Sequence, residues 1–145
     1  MNVFFDTSVL IAAVNEKHSH HSRAFPALTR VQEGKDEGFL SGHTLAEMYA
    51  ILTKLPAPFR HTPEQALLSI EENVLKYFKT VTLGTSDYPA LIREAALMGV
   101  QGGTVYDSLL LKAAGKAKVQ RILTFNLKHF QAIAPKALID MLGEP

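Results

Sequence analysis

Three carboxylates in this chain stand in surroundings that disfavour charge. Asp6 interrupts the apolar run NVFFDTSVLIAAV, Asn2 to Val14. Glu47 is the one charge between Thr44 and Thr53 in TLAEMYAILTKL, and Ala50 and Ile51, three and four residues on, share its helical face. Asp107, in TVYDSLLLKAA, shares a face with Leu110, Leu111 and Ala114, a stripe that otherwise reads as core. Each has a local explanation. Asp6 can cap the following helix, a role worth about 1 kcal/mol. Glu47 can lie at the edge of an apolar stripe with its head in water. Asp107 sits in a first turn, where the helix dipole favours an anion by about 0.3–1 kcal/mol. None of these terms covers the several kcal/mol lost when an unpaired carboxylate is buried.

A divalent cation answers all three at once, because it turns the mutual repulsion of converging acids into binding. With oxygen ligands and no cysteine, the hard ions Mg²⁺ and Mn²⁺ fit best. An ion held by few protein ligands and several waters suits phosphate chemistry, since it activates water and offsets charge on phosphoryl oxygens.

The elements that must hold these groups follow from the pattern of apolar runs. NVFF reads as a strand ending at Asp6, and TSVLIAAV as a helix. His18 to Glu33 reads as a second helix closed by Gly34, Gly38 to Ser41 as a strand, and HTLAEMYAILTKL as a helix stopped by Pro56 and Pro58. Thr62 caps a helix beginning PEQALLSIEENVLKYF, with proline at its first position. TVTL is then a strand, SDYPALIREAALMG and TVYDSLLLKAAGKA are helices, and VQRILTF is a strand. The tail AIAPKALIDML admits either an edge strand around Ala137 to Ile139 or a short helix. Short strands separated by helices, with almost no alternation, predict an α/β fold with a parallel sheet covered on both faces. In such sheets ligands gather beyond the carboxyl ends of the strands. Asp6 lies there after the first strand, and Thr124 and Asn126 lie there after RILTF.

A length of 145 residues with 47% hydrophobic content predicts one domain, 1–145, with a sizeable core. Fifteen Lys plus Arg against fourteen Asp plus Glu give a net charge of +1, far from the basic footprint of a nucleic-acid coat, so any nucleic-acid contact must be local. No apolar window approaches the roughly 18 residues that span a bilayer, and MNVFFD lacks a basic leader, so a soluble cytoplasmic protein is expected. The absence of cysteine excludes disulfides, zinc thiolates and a cysteine nucleophile. His18, His20 and His21 in KHSHHSR lack i, i+4 ligand spacing and read as a polar turn, and His61 is expected at the surface.

Four stretches, in order, resemble the signatures of the PIN-domain family and of the VapC-type toxins within it: FFDTSVLIA, the lone Glu47 of TLAEMYAIL, MGVQGGTVYDSLLLKAA, and ILTFNLKHF. They run from about residue 3 to residue 130. The resemblance implies a metal-dependent ribonuclease with a three-layer α/β/α sandwich on a parallel five-stranded sheet, in which Asp6 and Asp107 bind Mg²⁺ or Mn²⁺ directly and Glu47 completes the acidic cluster. It also implies a homodimer and a cognate antitoxin that blocks the cleft. Asn126 departs from the most acidic family pattern, where this position is often Asp; an amide brings no charge and cannot act as a base. Ser8 and Thr124 are expected to supply hydroxyls to the same network or to cap backbone. His129 has two readings, a phosphate contact or burial beside Phe130. Lys54, Arg60 and Lys128 follow site-bearing elements and are the candidates for RNA phosphate contact; Lys112 and Lys116, at i+5 and i+9 from Asp107, need not face the cleft.

Two other classes compete. A haloacid dehalogenase-type phosphatase also places Asp after its first strand, but uses it as a covalent nucleophile with a second acid two residues on, where this chain has Ser8. An inert PIN-like scaffold would hold RNA or protein without cutting, at the cost of three idle carboxylates.

Overall fold

A computed structural model describes residues 1–145. The chain runs β1 (Asn2–Phe5), α1 (Thr7–Val14), α2 (His21–Gln32), β2 (Glu37–Ser41), α3 (Gly42–Leu52), α4 (Pro63–Ile70), a π-helical turn (Glu71–Leu75), β3 (Phe78–Val81), α5 (Asp87–Leu97), α6 (Thr104–Ala117), β4 (Arg121–Leu123), α7 (Leu127–Ile133), α8 (Lys136–Ile139) and β5 (Leu142–Gly143). The five strands form one parallel sheet in the order β3-β2-β1-β4-β5. The central strand β1 pairs Val3 with Gly38 on one side and with Arg121 on the other.

Side chains alternate across a strand, and that alternation makes two cores. Val3, Phe5, Leu40 and Leu123 face α1 to α4, where Val9, Leu10, Leu28, Met48 and Leu52 complete one cluster. Phe4, Phe39 and Ile122 face the opposite layer, packed with Leu91, Leu110, Leu111, Phe130 and Leu138 from α5 to α8. The result is the expected α/β/α sandwich.

Local chemistry sets the helix starts. The Thr62 hydroxyl accepts from the Gln65 amide (3.1 Å) while the Gln65 side chain accepts from the Thr62 amide (2.9 Å), a reciprocal cap with Pro63 in the first turn. Ser41 caps α3 by accepting from the His43 amide. Gly34 takes φ +71 after α2, which closes that helix as expected. At Gly38 a Cβ would lie 2.6 Å from Phe78 and 2.7 Å from Val31, so only glycine lets β2 approach these side chains.

Several boundaries differ from the sequence reading. α2 begins at His21, because the His20 amide turns back to His18 Nδ1 (3.0 Å). The helix begun at Pro63 loses α-helical form after Ile70, and β3 starts at Phe78 rather than Thr80, because Phe78 is buried edge-on against Phe5, with ring centroids 5.0 Å apart. Of the two readings of the tail the helix holds, over Lys136–Ile139; the edge strand expected around Ala137 to Ile139 is absent there, and a two-residue strand forms further on at Leu142–Gly143. α7 lies outside the sequence reading; among its residues Phe130 alone is buried, too little to show a period. His61 is half-buried, and its Nδ1 is enclosed with no hydrogen-bond partner, so it is not the surface residue expected. No helix is long and apolar enough to cross a membrane.

Candidate active site

The carboxyl ends of β1 and β4 lie side by side, because Phe5 pairs with Leu123 and the Asp6 amide donates to the Leu123 carbonyl (3.0 Å). Asp6 is 4% exposed. Its backbone starts α1, but its carboxylate makes no cap bond. Instead the hydroxyls of Ser8 (2.7 Å) and Thr124 (2.9 Å) both donate to Asp6 Oδ2. The same two oxygens accept from the chain across the cleft: Ser8 Oγ from the Phe125 amide (3.2 Å), and Thr124 Oγ1 from the Asn126 amide (2.9 Å). Ser8 and Thr124 thus fix the carboxylate and the turn after β4 together. Burial pushes the Asp6 carboxyl above the usual carboxylate range; the two hydroxyls pull it back, and the charge on Asp107 adds to the rise.

Glu47 is half-buried on α3, on the side facing α1, and its Oε1 accepts from the Thr7 hydroxyl (3.2 Å). With its proton on Glu47, Thr7 Oγ1 is left to accept from the Thr44 hydroxyl at 3.2 Å, and His43 Nε2 lies 3.4 Å from the same Glu47 oxygen. Ala50 and Ile51 are exposed, so the apolar face inferred around Glu47 is not core. Asp107, by contrast, does sit on a buried stripe, with Leu110, Leu111 and Ala114 beneath it. Its Oδ2 is 2.8 Å from His129 Nε2. His129 is therefore not buried beside Phe130: its side chain is 46% exposed and rests on the carboxylate.

Asn126 is exposed at the start of α7, and its side chain makes no cap bond. Lys128 is exposed on the same helix, one residue before His129. Lys54 and Arg60 are not brought to the acids. They lie past the far end of α3, which starts at the strand end and is about 16 Å long. Arg60 donates to the Leu55 carbonyl and lines a cavity with Asn15, Glu16 and Lys17, beyond the far end of α1. Lys112 and Lys116 turn away as well, onto Glu94 (3.1 Å) and Asp87 (2.9 Å).

The same geometry bears on whether the acids can hold a cation. No three His, Asp or Glu side chains converge closely enough to enclose an ion, the histidines of KHSHHSR included. Two observations nevertheless fit a cation: Asp6 is a buried carboxylate with no basic side chain bonded to it, and Asp107 raises its pKa further. A site of two carboxylates with water completing the shell matches how Mg²⁺ is usually held. Glu47, bonded by Thr7 and approached by His43, does not form a three-acid cluster with that pair.

The family model for the PIN domain matches residues 3–135. The chain belongs to the PIN-domain family. Curated relatives of this PIN domain include ribonuclease VapC27 of Mycobacterium tuberculosis, 31% identical over 79% of this chain and 78% of that protein. Ribonuclease VapC40 of the same organism is 32% identical over 81% of this chain and 84% of that protein. Among solved structures, VapBC2 of Rickettsia felis bound to a promoter DNA fragment aligns with a TM-score of 0.69 at 20% identity, covering 99% of this chain and 98% of that one. M. tuberculosis VapC20, described as a sarcin-ricin loop cleaving toxin, aligns with a TM-score of 0.69 at 16% identity, covering 92% and 97%. Both share the fold of this PIN domain.

A cavity of about 930 Å³ in this PIN domain lies between α5, α6 and α8 and touches none of the three acids. The acid site is instead an open strand-end cleft. Three polar partners of the acids were missed in the sequence. His43 stands four residues before Glu47, a spacing that puts the two on one face and could have flagged it. His129 was visible in the sequence but its pairing with Asp107 was not, and Thr7 was visible only as part of the polar break Asp6-Thr7-Ser8.

Proposed function

We propose that this single-domain protein is a Mg²⁺- or Mn²⁺-dependent endoribonuclease that hydrolyses RNA phosphodiester bonds, acting in the cytoplasm as the toxin of a VapBC-type pair. The observation that carries the reading is the buried Asp6 carboxylate facing the charge of Asp107 at the carboxyl ends of the central strands. VapC ribonucleases as curated relatives support the substrate class. The Rickettsia felis neighbour, a VapB–VapC pair, supports an antitoxin as partner. A homodimer is proposed from the family resemblance.

In this mechanism Asp6 and Asp107 would hold the ion. Ser8 and Thr124 keep the Asp6 carboxylate from rotating, since both bond the same oxygen. Glu47 orients the attacking water from the α3 side, itself held by Thr7. Asn126 offers its amide to a phosphate oxygen or a water at the mouth of the cleft. When bound, the ion supplies an activated water and positive charge for the phosphoryl oxygens. Hydrolysis breaks the phosphodiester by in-line attack.

Incubation of the purified protein with total RNA and Mg²⁺ should give discrete fragments, and a chelator should abolish them. A protein that cuts no RNA and shows no calorimetric Mg²⁺ or Mn²⁺ binding at millimolar concentration would instead be an inert scaffold.

Substrate contact is predicted at Lys128 and not at Lys54 or Arg60. Lys128→Ala should weaken RNA affinity and lower the slope of log affinity against log salt by about one, while Lys54→Ala leaves it unchanged. Equal slopes for Lys128→Ala and wild type would remove Lys128 from the site.

A further inference from the structure

Tyr106 directly precedes Asp107 on α6, yet its ring points to the other side of the cleft. It lies over the imidazole of His43 with centroids 5.2 Å apart and planes 15° from parallel. His43 in turn reaches Glu47 at 3.4 Å. The stack therefore bridges α6 and α3 at the cleft mouth, between the element bearing Asp107 and the element bearing Glu47. One face of the ring rests on His43, but Tyr106 remains 53% exposed. The other aromatic beside the acids, Phe125, is already occupied: His20 stacks on it at 4.5 Å and the Arg23 guanidinium lies 5.4 Å from its centroid.

Unpaired RNA bases are bound by stacking on exposed aromatic rings, a contact that tolerates any base because each has a π-face. We propose that the open face of Tyr106, backed by His43, is the stacking platform for an unpaired RNA base next to the scissile phosphate. This inference rests on the endoribonuclease reading. A paired base would first have to be unstacked and flipped out, so an unpaired base meets the ring at less cost in free energy. His43 acts here as a positioning residue: it sets the angle of the ring and holds Glu47, so base and nucleophile site are aligned through one imidazole.

The test first maps a cut in total ribosomal and transfer RNA by primer extension, then uses a short RNA spanning that cut with a single abasic position moved along it. In wild-type protein, one abasic position beside the cut should raise KM roughly ten-fold or more, the scale of base–aromatic stacking. Tyr106→Ala should raise KM by a similar factor on the intact RNA and show no further loss on that abasic RNA. Tyr106→Phe should behave as wild type, since stacking needs the ring and not the hydroxyl. Thermal melting of each variant keeps loss of fold distinct from loss of contact. An abasic penalty that persists undiminished in Tyr106→Ala, or a Tyr106→Ala defect confined to kcat, would make the ring a mere support for Asp107 and overturn the proposal. A wild-type protein that cuts no RNA overturns the endoribonuclease reading itself, a result distinct from an active enzyme indifferent to Tyr106.

Discussion

Asp6→Asn and Asp107→Asn should each abolish RNA cleavage, by about a thousand-fold or more, without unfolding the protein. The magnitude follows from the several kcal/mol that a bound cation supplies to a phosphoryl transition state, at a factor of ten for each 1.36 kcal/mol. On the proposed assignment, losing one of the two carboxylates would remove most of the ion's affinity. The fold should survive because, in Asp6→Asn, the side-chain amide oxygen can accept from the same Ser8 and Thr124 hydroxyls that now bond Asp6 Oδ2. Neutralising Asp6 also removes a charge whose burial disfavours the ionised form, so the metal-free Asp6→Asn protein should melt no lower than metal-free wild type. Mg²⁺ provides an independent readout. A ligand at one hundred times its Kd stabilises the folded state by about 2.7 kcal/mol. Wild type should therefore gain several degrees in Tm with saturating Mg²⁺, and neither asparagine variant should. Cleavage at the wild-type rate by either variant in metal-replete buffer would sink the assignment of both ligands.

The second large effect is predicted at a residue that need not touch metal or RNA. Thr124 is fully buried, and its hydroxyl donates to Asp6 while accepting from the Asn126 amide. Thr124→Val preserves shape but strands both partners, leaving Asp6 Oδ2 with Ser8 alone and the Asn126 N–H without its acceptor. An unsatisfied buried group costs about 1–3 kcal/mol, so Tm should fall by roughly 3–10 °C. Cleavage should fall by about a hundred-fold, the scale of an ångström-sized misplacement of a catalytic group. Thr124→Ser, which keeps the hydroxyl, should recover most of both. A valine variant with wild-type Tm and wild-type rate would show that the Thr124–Asp6 bond does not position the site.

Much of this fold is legible in local pattern. The strand NVFF, the helix after it, the Thr62 cap with Pro63, and the helix carrying Asp107 each follow from a few adjacent residues, because caps, periods and breakers act over one or two turns. Asp6 and Asp107 were legible for the same reason, as charges on buried apolar runs, whereas the apolar face beside Glu47 is exposed. Boundaries that depend on distant partners were not: β3 begins at Phe78 because Phe5, far away in the chain, receives its ring. β5 spans two residues and exists through pairing with β4.

By itself, then, the sequence determined the α/β class, the positions of the acids on their elements, and the apolar context that makes a cation the natural partner. Only the tertiary structure decided which side chains serve those acids. It joined Thr124 to Asp6 across 118 residues, seated His129 on Asp107, set His43 between Glu47 and Tyr106, and carried Lys54 and Arg60 past the far end of α3. The reason is geometric: hydrogen bonds and ring stacks act over a few ångströms, and the strand order β3-β2-β1-β4-β5 that brings those atoms together is a property of the whole sheet.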